Sequence, residues 1–165
     1  MSNIDSSYLS RALDVKQQKK MLRHISKFLR TRINEFDAIA IRGMSGALVG
    51  SIIAARLNKP LIVVRKQDGN HSGRRVEGIK NAKDYIILDD LISTGDTADI
   101  IKDEVKNFNG AKLVGIVLYN GWSGEGFLQN CADRFDCWIH QLYNEETYPG
   151  GFSKNEEVLV KPKGR

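Results

Sequence analysis

Only two cysteines, Cys131 and Cys137, occur in this chain of 165 residues, and neither has a partner at metal-ligand spacing. That shortage excludes a disulfide framework and makes reduced structural thiols the expectation. Histidine is as scarce: His24, His71 and His140 are scattered, so neither a zinc site nor a histidine-based triad is expected. No apolar run approaches the roughly 18 residues of a membrane-spanning helix. Residues 1–7 lack the basic-then-apolar order of a signal peptide. A soluble cytoplasmic protein is the expectation, with no internal repeat or low-complexity tract.

Hydrophobic residues make up 41% of the chain, enough for one α/β domain over 1–165 with a core of its own. The net charge of +5 is unevenly placed. Eight basic residues (Arg11, Lys16, Lys19, Lys20, Arg23, Lys27, Arg30 and Arg32) stand against Asp14 alone, and the rest of the chain is slightly acidic. Over residues 14–33, Met21, Leu22, Ile25, Phe28, Leu29 and Ile33 recur at helical spacing, which predicts an amphipathic helix packed on the domain. Its basic face is free to meet water, RNA or an acidic partner.

The chain is organised around Tyr85–Thr97. Tyr85 to Leu88 is an apolar run without alternation, as expected of a central parallel strand covered on both faces. Asp89 and Asp90 end it. Ser93, Thr94, Gly95 and Thr97 form a hydroxyl-rich loop, and Ala98–Phe108 reads as a helix. The free N–H groups of that helix start make an anion site. Two carboxylates would repel a bare phosphate, but they suit a sugar whose hydroxyls and metal need acceptors. The implied ligand is a phosphorylated sugar.

Other segments follow the same rhythm. Asp37–Ile41 predicts a strand, and Arg42–Gly50 is a glycine-rich turn into a helix reaching about Asn58. It is no Walker A loop, since no Gly-Lys-Ser/Thr follows, yet its small residues let backbone amides approach a phosphate. Leu61–Val64 predicts another strand ending in Arg65 and Lys66. Residues 67–82 carry turn signals and the pair Arg74–Arg75, and predict a long loop. Lys112–Tyr119 and Asp136–Leu142 read as strands, Gly124–Ala132 as a short helix, and Val158–Val160 as a last short strand. Strands alternating with helices predict a central parallel sheet flanked by helices, with ligands beyond the strands' carboxyl ends.

Residues 86–97 resemble the phosphoribosyl-pyrophosphate (PRPP) signature of type I phosphoribosyltransferases: apolar residues, two acids, two apolar residues, a variable residue, then Thr-Gly-x-Thr. The turn Ile41–Leu48 and the segment Trp138–Gln141 are similar to bacterial purine members of the xanthine-guanine type. The resemblance implies the fold of that family with a small hood, from about 138–160 and part of the N-terminus. It also implies Mg²⁺-dependent transfer of the 5-phosphoribosyl group from PRPP to a nucleobase, most simply a purine, with release of pyrophosphate. On that resemblance Ser93, Thr94, Gly95, Asp96 and Thr97 bind the 5-phosphate. Asp89 and Asp90, the catalytic pair, accept the ribose hydroxyls and reach Mg²⁺ through water. Arg42, Gly43, Met44 and Ser45, with Arg65 or Lys66, meet the pyrophosphate. Residues 67–82 would be a closing loop offering Arg74, Arg75 or Lys80, and Trp138 and Ile139 would contact the base, covered by Tyr143 or Tyr148. A homodimer and no membrane contact are expected.

Two departures stand out. Family members acting on 6-oxopurines carry an Asp where this chain has Ser93, and Asp96 places a carboxylate inside the phosphate loop. A PRPP- or nucleotide-sensing regulator, binding RNA, DNA or a protein, is the alternative reading.

Overall fold

A computed structural model describes residues 9–66, 73–143 and 157–164. Chain order sets up an α/β alternation. A short turn of helix α1 (Ser10–Leu13) and a long helix α2 (Val15–Arg30) precede strand β1 (Ala38–Arg42), helix α3 (Gly43–Leu57) and strand β2 (Leu61–Val64). Then come β3 (Val76–Gly78), β4 (Asp84–Asp89), α4 (Asp96–Asn109), β5 (Lys112–Gly121), α5 (Glu125–Phe135), β6 (Trp138–Tyr143) and β7 (Glu157–Val160).

The seven strands form one sheet in the order β3-β2-β1-β4-β5-β6-β7. The five inner strands are mutually parallel, while β3 and β7 run antiparallel at the two edges. Successive residues of the inner strands point to opposite faces, and both faces are apolar. Ile39, Ile41, Ile86, Leu88 and Val117 pack against α1–α3, while Ala38, Ala40, Tyr85, Ile87 and Ile116 pack against α4 and α5. This explains why the strands read as continuous hydrophobic runs.

Helix boundaries follow local chemistry. The Asp14 carboxylate accepts from Gln17 N at 2.8 Å and caps α2. Asn58 stops α3 in the left-handed conformation, two residues before Pro60. Within α3, a Cβ on Gly50 would lie 2.4 Å from Ile41 Cγ2. The helix therefore sits on β1 at a distance that only a missing side chain allows.

Two expectations are corrected. The loop expected over 67–82 is interrupted by β3, whose Val76–Gly78 pairs with Ile62–Val64; three residues are too few for a period-two signal to register. The hood expected from about 138 instead begins within the main sheet, because β6 is its sixth strand and β7 its seventh. Residues 144–156, including Tyr148, lie outside the described residues.

Candidate active site

Strand order decides where a ligand fits. From β1 the sheet grows one way to β2 and the other way to β4. The chain leaves β1 for α3 on one face and leaves β4 for α4 on the opposite face. The two turns diverge and open a crevice at the carboxyl edge, the position at which parallel α/β sheets bind ligands. A cavity of about 280 Å³ fills it, lined by Arg42, Ser45, Lys66, Asp89, Asp90 and the loop from Leu91 to Ala98.

Asp89 ends β4 and is only 8% exposed. Its Oδ1 accepts from Ser45 Oγ at 2.8 Å and from Asp90 N at 3.0 Å. Burial pushes the Asp89 carboxyl up to about 7, the neighbouring charge of Asp90 adds to the rise, and the Ser45 hydrogen bond opposes it. Asp90 is half-buried and turns the chain: its Oδ1 accepts from Leu91 N at 2.8 Å, and its carbonyl accepts from Asn120 N at 2.8 Å. Tyr119, fully buried on β5, donates its hydroxyl to the carbonyl of Ser45 at 3.1 Å. Burial and the two aspartates hold that phenol far above its ordinary range.

Each side of the crevice is a helix start. Helix α3 begins at Gly43 without a side-chain cap, directly after Arg42, so its first-turn amides have no intrahelical acceptor. Gly43 has φ +71°, and the Lys66 side chain lies against it, with Cε 3.0 Å from where a Cβ would be. Across the crevice, Gly95 (φ +92°) is the N-cap of α4. Both positive φ values favour glycine. Thr94 Oγ1 accepts from Asp96 N at 3.3 Å, while Ser93 and Thr94 are exposed at the cavity. Asp96 is also exposed; with Asp99 it lies in the first turn of α4 and complements the helix dipole.

Two contacts that the sequence reading missed hold this loop. Arg134, from α5, donates to the carbonyl of Thr94 at 3.0 Å and pairs with Asp99. Ser123 Oγ donates to the carbonyl of Ile92 at 3.2 Å. Neither carries a sequence signal, since both depend on chain segments more than thirty residues from the loop they hold.

The basic residues divide. Arg42 and Lys66 line the 280 Å³ cavity and also a neighbouring one of about 600 Å³, which Arg65, Arg75 and Glu104 help to enclose. Arg65 pairs with Glu77 at 3.0 Å and Arg75 with Glu104 at 2.8 Å. Arg74 and Lys80 flank a separate depression beside Phe108. Met44 is 66% exposed, so its backbone rather than its side chain belongs to the α3 turn.

Two hard-oxygen carboxylates at one cavity fit a hydrated Mg²⁺ held partly by a substrate's own oxygens. Among the described residues no cluster of three or more His, Cys, Asp or Glu side chains is placed to hold a metal ion.

No family model matches the chain. The chain is 26% identical over 162 residues to orotate phosphoribosyltransferase of Pyrococcus horikoshii, covering 94% of this chain and 86% of that one. It is 32% identical over 113 residues to adenine phosphoribosyltransferase of Bifidobacterium longum, covering 59% and 58%. Its fold matches the crystal structure of adenine phosphoribosyltransferase from Thermoanaerobacter pseudethanolicus with TM-score 0.59 and 26% identity, covering 79% and 81%. It also matches the fold of orotate phosphoribosyltransferase from Aeropyrum pernix with TM-score 0.64, covering 81% and 75%.

The chain has the type I phosphoribosyltransferase fold, and its relatives are named orotate and adenine phosphoribosyltransferases.

The two residues expected to contact a base, Trp138 and Ile139, lie away from the crevice. Trp138 is level with Gly115 and Ile86, three residues before the level of Asp89, Leu118 and Gln141, which is about 10 Å along the strands. It is 7% exposed, its ring lies on Gly115, and Nε1 donates to Glu35 Oε2 at 3.0 Å. Phe28 meets it edge-on at 5.5 Å. Ile139 is fully buried on the opposite face. Both residues are core, because β6 starts at Trp138 and brings its carboxyl end, not its start, to the crevice. Tyr143, at that end, is half-buried.

Proposed function

We propose that this protein transfers a 5-phosphoribosyl group from PRPP to a nucleobase and releases pyrophosphate. The observation that carries the reading is the convergence of two helix starts and one acid pair on a single cavity at the switch point of the sheet. The α4 start and the hydroxyls of Ser93, Thr94 and Thr97 take the 5-phosphate, since amide donors and a helix N-terminus favour an oxyanion. Asp89 and Asp90, between the two starts, accept the ribose hydroxyls. The α3 turn, Arg42 and Lys66 take the pyrophosphate. Anchoring phosphate and pyrophosphate at opposite walls fixes the ribose C1 between them, so orientation supplies much of the rate. As the bond from C1 to pyrophosphate oxygen breaks and that to the base nitrogen forms, positive charge grows on the ribose and negative charge on the leaving group. The acid pair and the cations are preorganised for these two charges. Mg²⁺ bound with PRPP would neutralise part of the pyrophosphate charge, and Asp89 and Asp90 are the residues to hold its water shell.

Orotate and adenine are the acceptors to try first, because relatives of both names align with this chain. Ser93 removes the carboxylate expected for 6-oxopurines, which favours neither guanine nor xanthine. Trp122, 43% exposed just after β5, is the aromatic at the carboxyl edge suited to cover a base. Cytoplasmic location and a homodimer are part of the same reading, the latter checked by light scattering. The deciding experiment measures Mg²⁺-dependent pyrophosphate release from PRPP with orotate, adenine, 6-oxopurines, uracil and nicotinate, using Asp89→Asn/Asp90→Asn as control. Release with one base, abolished in the control, supports a transferase. Tight PRPP binding without release for any base supports a sensor instead.

A further inference from the structure

Helix α2 breaks a rule of exposed helices. Its exposed residues are Val15, Lys16, Lys19, Lys20, Arg23, Lys27 and Arg30, so every one after Val15 is a cation. At 100° per residue the six cations fall within an arc of about 100° and run about 21 Å along the axis. They meet at i,i+3 and i,i+4 spacings, where like charges destabilise a helix and where exposed faces ordinarily place Glu opposite Lys. Lys16 also stands in the first turn, against the helix dipole, where the only acid is the Asp14 cap. The other two basic residues of the segment serve the fold: Arg11 donates to the carbonyl of Tyr119 at 3.2 Å, and Arg32 pairs with Glu35 at 2.8 Å. A solvated surface does not require six cations in a line, and departures from local rules of this kind mark function.

We infer that the outer face of α2 binds the phosphodiester backbone of a nucleic acid. A line of point charges about 21 Å long complements a chain of phosphates. Insertion into a lipid surface is disfavoured, because Met21, Leu22, Ile25 and Leu29, the apolar face of α2, are buried against the sheet. No aromatic side chain lies on the exposed face of α2, so the contact reads phosphates and not bases. This site is separate from the crevice and stands whether or not the phosphoribosyl reading holds.

The test measures anisotropy of labelled 20-nucleotide RNA and DNA, single-stranded and duplex, of several sequences, with the full chain between 50 and 300 mM salt. The expected result is sequence-independent binding whose log–log salt slope corresponds to about four to six released counterions. Lys19→Gln/Lys20→Gln/Arg23→Gln/Lys27→Gln should weaken it about tenfold or more at low salt and flatten the slope, while Lys106→Gln/Lys112→Gln, equally exposed elsewhere, should leave it intact. The quadruple variant should melt no lower than the parent, which keeps a loss of binding from being a loss of fold. Binding unchanged in the quadruple variant overturns the proposal. So does absent nucleic-acid binding, or tighter binding to phosphatidylserine vesicles or polyglutamate than to RNA and DNA.

Discussion

At the scale of single residues, Asp89 is a buried acid at the crevice. Its carboxyl is raised to about 7 by burial beside Asp90, whereas in the unfolded chain it titrates near 3.8. A raised folded value means the native state prefers the protonated form. The stability this group contributes is complete below the unfolded value and is lost as pH climbs toward about 7. Asp89→Asn should therefore stabilise the ligand-free protein at pH 8 by roughly 1–3 kcal/mol and change little at pH 4, read from urea melts at the two values. Trp138→Phe tests the placement of the ring in the core. It removes the indole donor to Glu35 and should cost about 1 kcal/mol of stability while leaving the choice of acceptor base and its KM unaltered. Trp122→Ala should do the reverse, raising the KM for the base with little effect on melting. The motif around Asp89 and Asp90 was legible in the sequence because the geometry there is made by consecutive residues. The burial of Trp138 was not legible because a tryptophan in a strand looks the same whether its ring faces a ligand or a helix; only the register of β6 against β5 distinguishes them.

At the scale of elements, the site depends on how helices meet the sheet. Arg134 reaches from α5 to the signature loop and to the first turn of α4. Arg134→Ala should weaken PRPP binding severalfold while changing global stability by less than about 1 kcal/mol, since a half-exposed ion pair contributes little to folding. Isothermal titration and thermal melts separate the two effects. Gly50→Ala acts on the other wall: the added methyl meets Ile41 Cγ2, so α3 must lift from β1 at a cost of roughly 1–3 kcal/mol, only partly offset by better helix propensity. The helices themselves were readable, α2 from its apolar spacing and α3 from a glycine-rich turn ending before Pro60. The edge strand β3 was not, because it owes its three-residue ladder to β2 rather than to any pattern of its own.

At the scale of the whole molecule, ligand and fold are coupled. PRPP with Mg²⁺ should raise the melting temperature, equivalent to about 2.7 kcal/mol at a hundredfold excess over Kd, and Asp89→Asn/Asp90→Asn should abolish that rise. The α/β alternation, the acid pair with its hydroxyl-rich loop, and the basic helix were set by the sequence alone, because each arises from contiguous residues whose spacing sets their local geometry. Only the tertiary structure decided the rest. Strand order brought the turn after β1 and the turn after β4 to the same crevice, set Ser45 and Tyr119 behind Asp89, and drew Arg134 to the loop. It also sent Trp138 into the core. These outcomes depend on which segments pack side by side across tens of residues, a choice made by burying both faces of one sheet rather than by any local pattern.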